Sequence, residues 1–150
     1  MRVQTALVRD LAVRAVVKVD RETTVADCAK IMRNEHVGSV IVATGSEPEG
    51  IVTDRDIVIE VVATGLDPAT LTAGDIMSTP LATVRESDDL FDALARMREH
   101  GVRRLAVVDD AGRLTGVLAV DNLLEVLAEQ VDGVVRVLKA EQTKETQTRR

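Results

Sequence analysis

The chain has 150 residues, 45% apolar and 29% charged, and a formal charge of −6. That length suits one ordinary domain or two small, closely packed ones of globular composition. Net negative charge and a single aromatic residue, Phe91, argue against a nucleic-acid binder, which needs a basic footprint and stacking platforms.

No apolar run approaches the roughly 20 residues that cross a bilayer. Arg2, Gln4, Arg9 and Asp10 interrupt any N-terminal apolar segment, so the expected location is the cytosol, with no membrane partner. From Arg14 to Val19 the chain is β-branched and loosely alternating, which predicts a strand. Asp20 to Thr24 reads as a turn able to cap a helix. Val25, Cys28, Ala29 and Met32 then recur at helical spacing, predicting a helix over 24–35. Cys28 lies on that stripe and reads as a small core residue, with a redox or intermolecular thiol as the alternative. It is the only cysteine, so no intrachain disulfide forms, and no Cys/His cluster has metal-ligand spacing. A strand over 38–44, a polar turn over 45–49 and a strand over 50–52 follow. A helix over 54–64 carries Ile57, Val58, Val61 and Val62, and ends at Gly65-Leu66-Asp67-Pro68.

A shift of 65 residues repeats the pattern. Asp10 falls on Asp75, Val19 on Val84, Asp27 on Asp92, Met32-Arg33 on Met97-Arg98, and Val42 on Val107. After one inserted turn residue, Gly50 falls on Gly116. The second unit therefore reads as strand 81–84, helix 88–100, strand 104–109, turn 110–112, strand 113–119 and helix 121–131. Each unit is β-α-β-β-α, too small to bury a comfortable core alone. Two units packed by a pseudo-two-fold axis give an α/β (α+β) fold with one adequate core. Beyond them Leu123, Leu127, Val131, Val134 or Val135, and Leu138 continue a helical stripe. Gly133 predicts a kink or break in it, and the polar sequence from Lys139 predicts fraying or a partner-binding arm.

This double unit resembles a tandem pair of CBS domains, a Bateman module. The resemblance is carried by Gly50-Ile51-Val52-Thr53-Asp54-Arg55-Asp56-Ile57, by Asp75-Ile76-Met77-Ser78-Thr79-Pro80, and by the run His100 to Asp109. It places CBS domain 1 at 7–66, CBS domain 2 at 72–131 and a helical or disordered polar tail at 132–150. The chain looks similar to small stand-alone CBS proteins of the hypoxic-response type. That similarity implies a flat homodimer, an adenosyl ligand such as AMP, ADP or ATP, a stress-response setting, and neither a required cofactor nor catalysis.

In the family, the Gly-x-x-Thr-x-x-Asp junction holds a ribose. The resemblance therefore assigns Thr53 and Asp56 to that sugar, whose cis diol a carboxylate can engage with two hydrogen bonds. The helix start adds a positive dipole end that favours anions. Thr53 and Asp56 also have the spacing of a capping box, a purely structural use of the same side chains. In the second junction Ala119 and Asn122 replace Thr and Asp, whereas Arg103-Arg104 stand where the first unit has Gly38-Ser39. Pseudo-symmetry then predicts one competent cleft holding Thr53, Asp56, Arg103 and Arg104, and a second, degenerate one holding Ala119, Asn122, Gly38 and Ser39. Arg103 and Arg104 would neutralise phosphate. They point to opposite faces of a strand, Arg104 being slightly favoured, and the alternative is surface ion pairing to Asp54 or Glu99. Val16, Val17, Ile51, Leu81 and Ala82 are candidate aliphatic walls.

Two remaining groups have plainer readings. His36 and His100 read as helix-end residues, and Met32, Met77 and Met97 as filler of core or interface. Arg55 reads as solvent-exposed, with phosphate or a dimer partner as its alternative contact. No nucleophile–base pair, metal cluster or phosphate-binding glycine loop is present, which speaks against an enzyme. Two functions are expected: a nucleotide-sensing module read by a separate protein, or a ligand-free dimerisation scaffold.

Overall fold

Two three-stranded sheets carry the fold in the computed structural model, which describes residues 6–149. In the first unit β1 (Lys18–Val19) pairs parallel with β2 (Ser39–Thr44), which pairs antiparallel with β3 (Glu47–Thr53). In the second, β4 (Thr83–Arg85), β5 (Arg104–Val108) and β6 (Leu114–Ala119) repeat the arrangement. The repeat holds to the level of register. Val19↔Val42 and Val42↔Gly50 in one sheet answer Val84↔Val107 and Val107↔Gly116 in the other, and each middle strand has an irregularity just after that point. The expected pair of β-α-β-β-α units is therefore present.

Local chemistry explains the helices. Thr24 accepts the Asp27 N–H at 3.1 Å and starts α2 (Val25–Glu35). Asp89 and Asp92 exchange side-chain-to-backbone bonds of 2.9 and 3.1 Å to start α5 (Leu90–His100). Both helices stop on a left-handed residue, His36 at φ 55° and Gly101 at φ 62°. Their apolar stripes pack on the sheets. Cys28 and Met32 join Val19, Val40, Val42 and Val52 in one core; Ala93 and Met97 join Val84, Leu105, Val107 and Leu118 in the other. Val40, Ile41, Val42 and Ala43 are all buried in succession, so β2 is covered on both faces.

Two short helices with no periodic signature tie the units together. α1 (Val8–Leu11) precedes the first sheet, yet Val8 is fully buried in the core of the second unit. α4 (Ala73–Ile76) precedes the second sheet, yet Ala73 is fully buried in the core of the first. The exchange is reciprocal bond for bond. Val8 and Arg9 donate to Asp88 and Glu86 at 2.8 and 3.0 Å, while Ala73 and Gly74 donate to Thr23 and Arg21 at 2.7 and 3.0 Å. Beyond the helices, Val13 bridges Val117 and Ser78 bridges Ile51.

Several elements differ from their expected extent. β1 covers only Lys18–Val19, because the preceding residues serve the exchanged connection. β3 starts at Glu47, so the turn is shorter than expected. The helix after β3 is α3 (Asp54–Ile57) continued as a π-helical stretch, Val58–Val62. The break expected at Gly133 is absent: α6 is continuous over Val120–Thr148. Glycine weakens a helix without removing a hydrogen-bond donor, and the neighbouring residues keep the turn.

Candidate functional site

β3 and β6 both run directly into helices, and the two junctions meet at one cleft of about 500 Å³. Its lining includes Thr53 to Asp56 from the first junction, Ala119 to Asp121 from the second, and Arg103 and Arg104 from the start of β5. The junctions are built alike. Asp54 N–H donates to Gly38 O at 2.9 Å, and Val120 N–H donates to Arg103 O at 2.8 Å. Ser39 pairs with Thr53 and Arg104 with Ala119 across the strands.

Thr53 and Asp56 form a complete capping box. Thr53 N–H donates to Asp56 Oδ2 at 2.9 Å, and Asp56 N–H donates to Thr53 Oγ1 at 3.1 Å. Both side chains are half-buried at the cleft wall. The structural use of this pair is therefore real, and it occupies one carboxylate oxygen. Among the described residues nothing else donates to the Asp56 carboxylate, which leaves Oδ1 available. In the second junction Asn122 Oδ1 accepts the Ala119 N–H at 2.9 Å, but the Ala119 methyl can accept nothing in return. That junction keeps half the box and has no carboxylate.

Arg103 is exposed and Arg104 half-buried. Among the described residues neither forms an ion pair, so the expected alternative pairing to Asp54 or Glu99 does not occur. Instead Arg104 reaches across to the first unit. A Cβ built on Gly38 would sit 3.5 Å from Arg104 Nη2 and 3.1 Å from Asp54 Oδ2. Arg104 Nη2 thus lies within ordinary contact distance of Gly38, and the tighter neighbour that a side chain there would meet is Asp54 of the same unit. The start of the long helix α6 opens on the same cleft, so its positive dipole end adds to the two arginines. The exposed Arg55 also lines it.

Of the candidate wall residues, Ile51, Leu81 and Ala82 line the cleft and Val16 and Val17 do not. Val17 packs against the first unit's core and accepts the Ile41 N–H at 3.0 Å. The repeat explains the split, since Val16 and Val17 are the counterparts of Leu81 and Ala82 across the pseudo-axis. A second correction concerns Ala119, expected in a separate cleft but found in this one, because β3 and β6 end at a common rim. Ser78, Pro80, Gly101, Val102, Val120 and Asp121 complete the lining, and none of them is a site residue expected from the sequence. Ser78 arrives with the exchanged α4 connection, held by its N–H to Ile51 O at 2.9 Å. The only available signal was the Asp75-to-Pro80 run, which marks the unit boundary without showing that it crosses over. Among the described residues no three His, Cys, Asp or Glu side chains gather to hold a metal, and no helix is long and apolar enough to cross a membrane.

Comparison with known proteins gives this geometry a family. The CBS domain model matches residues 8–63 and again 73–129. An uncharacterized protein of Methanopyrus kandleri is 39% identical over 120 residues, 79% of this chain but only 61% of that longer protein. Hypoxic response protein 1 of Mycobacterium tuberculosis is 33% identical over 88% of this chain and 91% of its own length. A crystal structure of Hypoxic Response Protein I with two coordinated zinc ions superposes with a TM-score of 0.72, covering 80% of this chain and 98% of that one at 31% identity. The CBS domain protein PAE2072 of Pyrobaculum aerophilum, solved in complex with AMP, gives a TM-score of 0.72 at 28% identity, covering 82% of this chain and 98% of that one. With two matched domains, the repeated register and the reciprocal exchange of α1 and α4, the chain belongs to the CBS-domain family as a tandem pair.

Proposed function

We propose that the cleft binds one adenosyl nucleotide of the AMP, ADP or ATP type, and that the chain is a nucleotide-responsive regulatory module. Asp56 Oδ1 and Thr53 hold the ribose, Arg103 and Arg104 neutralise phosphate, and Ile51, Leu81 and Ala82 flank the base. The observation carrying this reading is the pairing of opposites in one cleft: among the described residues Asp56 Oδ1 has no protein donor, and Arg103 and Arg104, which line the same cleft, form no ion pair. A relative solved with AMP supports the ligand class. No catalytic role is proposed. The protein pairs as a homodimer, acts in the cytoplasm in a stress response, and signals by binding nucleotide more tightly in one of two arrangements, which a separate protein reads.

Asp56→Asn is the discriminating variant. The amide keeps the backbone-facing acceptor, as Asn122 does at the second junction, but removes the charge that a ribose diol would use. Calorimetry with AMP, ADP and ATP should show one site per chain. Asp56→Asn should bind about tenfold more weakly or worse, because a hydrogen bond to a charged group contributes about 1.5–3 kcal/mol. Two equal sites, or unchanged binding by the variant, would refute the assignment. A second reading, a ligand-free scaffold, is favoured by the capping already made by Asp56 and by the degenerate Ala119/Asn122 junction. A thermal melt separates the two, since a nucleotide that binds the folded state raises Tm and a scaffold shows no shift with any nucleotide.

A further inference from the structure

The cleft is balanced in charge. Arg55, Arg103 and Arg104 line it, and so do Asp54, Asp56 and Asp121. Three formal positive charges therefore meet three negative ones, in a chain whose own charge is −6. The ribose takes one of these acids, Asp56, and the phosphate takes Arg103 and Arg104. Asp54 and Asp121 have no part in holding either.

Both acids bear on the phosphate end of the site. Asp54 Oδ2 and Arg104 Nη2 come within 3.1 and 3.5 Å of one point, the place of a Cβ on Gly38, yet the two groups form no ion pair. Asp54 Oδ1 accepts the Arg55 N–H at 2.8 Å, which holds the carboxylate there. It weakens the field of Arg104 without tying up the guanidinium. Charges a few Å apart are not screened at physiological salt, where the Debye length is about 8 Å. Asp121 is exposed in the first turn of α6. It opposes the positive helix end that would otherwise draw further anions. In the repeat Asp121 is the counterpart of Arg55, so the second junction brings an acid where the first brings a base.

We infer that Asp54 and Asp121 set the length of phosphate chain the cleft accepts, so that it selects a nucleoside monophosphate over a triphosphate. The inference rests on the nucleotide reading and narrows it. One phosphate brings about two negative charges, which Arg103 and Arg104 match. Each further phosphate has only Arg55 to meet it and two carboxylates to oppose it.

The test is calorimetry of the full chain with AMP and with ATP, without and with magnesium, for the parent and for Asp54→Asn/Asp121→Asn. The amide at position 54 keeps an oxygen for the Arg55 N–H. Unit charges roughly 8 Å apart change affinity by about threefold in water and about thirtyfold at a protein surface. The parent should therefore bind AMP about tenfold more tightly than metal-free ATP. The double variant should narrow that gap to about threefold or less, through a gain for ATP larger than any gain for AMP. Magnesium should narrow the gap in the parent by masking phosphate charge, without reversing it. Equal or tighter binding of metal-free ATP by the parent, or a gap unchanged in the variant, would overturn the selectivity and leave the nucleotide reading intact. ATP bound more tightly than AMP once magnesium is present would also overturn it, since the acids would then be holding the cation. No heat with either nucleotide would defeat the nucleotide reading, and this inference with it.

Discussion

Gly50→Ala probes the crossing of the exchanged connection over β3. Gly50 is buried opposite Val42. A Cβ there would sit 2.9 Å from Ser78 O and 2.9 Å from Met77 Sδ. The thioether can swing aside. The carbonyl cannot, because Ser78 is pinned to Ile51 by bonds of 2.9 and 3.3 Å. Overpacking of this kind costs about 1–3 kcal/mol. Reduced freedom of the unfolded chain offsets it by about 0.4–1 kcal/mol, leaving a net loss of roughly 1–2 kcal/mol. At this chain length each kcal/mol lowers Tm by about 2–4 °C. Urea unfolding followed by far-UV circular dichroism suits a chain without Trp or Tyr, and the midpoint should fall while the slope stays constant. Met77→Ala in the same chain should relieve only the sulfur contact and leave most of the loss. A midpoint equal to the parent's would refute the close approach of Ser78 to β3, and with it the exchange of α4 between units.

Three further outcomes follow from local geometry. His36 occupies at φ 55° the left-handed position that Gly101 fills in the second unit. His36→Gly should therefore stabilise the protein by up to about 1 kcal/mol in the same unfolding experiment, since glycine adopts that conformation without steric cost. Cys28 is fully buried, and burial, reinforced by Asp27, pushes its thiol pKa up. It should resist a thiol reagent in the native protein and react at once in denaturant. Asp109 accepts the Arg113 and Ala111 N–H groups and the Arg113 guanidinium, each at 2.9 Å, and these bonds hold its pKa below the usual carboxylate value. A lowered native pKa stabilises above the unfolded value of about 4 and is lost as pH falls through the native one. The stability gap between parent and Asp109→Asn should be full at neutral pH and close in acid; a gap independent of pH would refute this role.

The local patterns were legible because each has a local cause. The stripe Val25, Cys28, Met32 declares α2, the β-branched runs declare the middle strands, and the 65-residue repeat reproduces itself down to the register of Val42 with Gly50 and Val107 with Gly116. The junction at Thr53 and Asp56 was legible as a cap, and that is how it is bonded. What the residues could not declare is whatever depends on which unit a segment packs against. α1 and α4 are four residues each, too short for any period, and their placement in the opposite core follows from Val8 and Ala73 fitting there. That exchange brings Ser78 to the cleft. The position of the pseudo-axis separates Leu81 and Ala82 from their counterparts Val16 and Val17. The common rim of β3 and β6 puts both junctions in one cleft. The amino-acid sequence alone thus determined two similar units and the chemistry each carries. Only the tertiary structure decided which side chains share a cavity, because that depends on long-range packing between segments whose own sequence is silent about their partner.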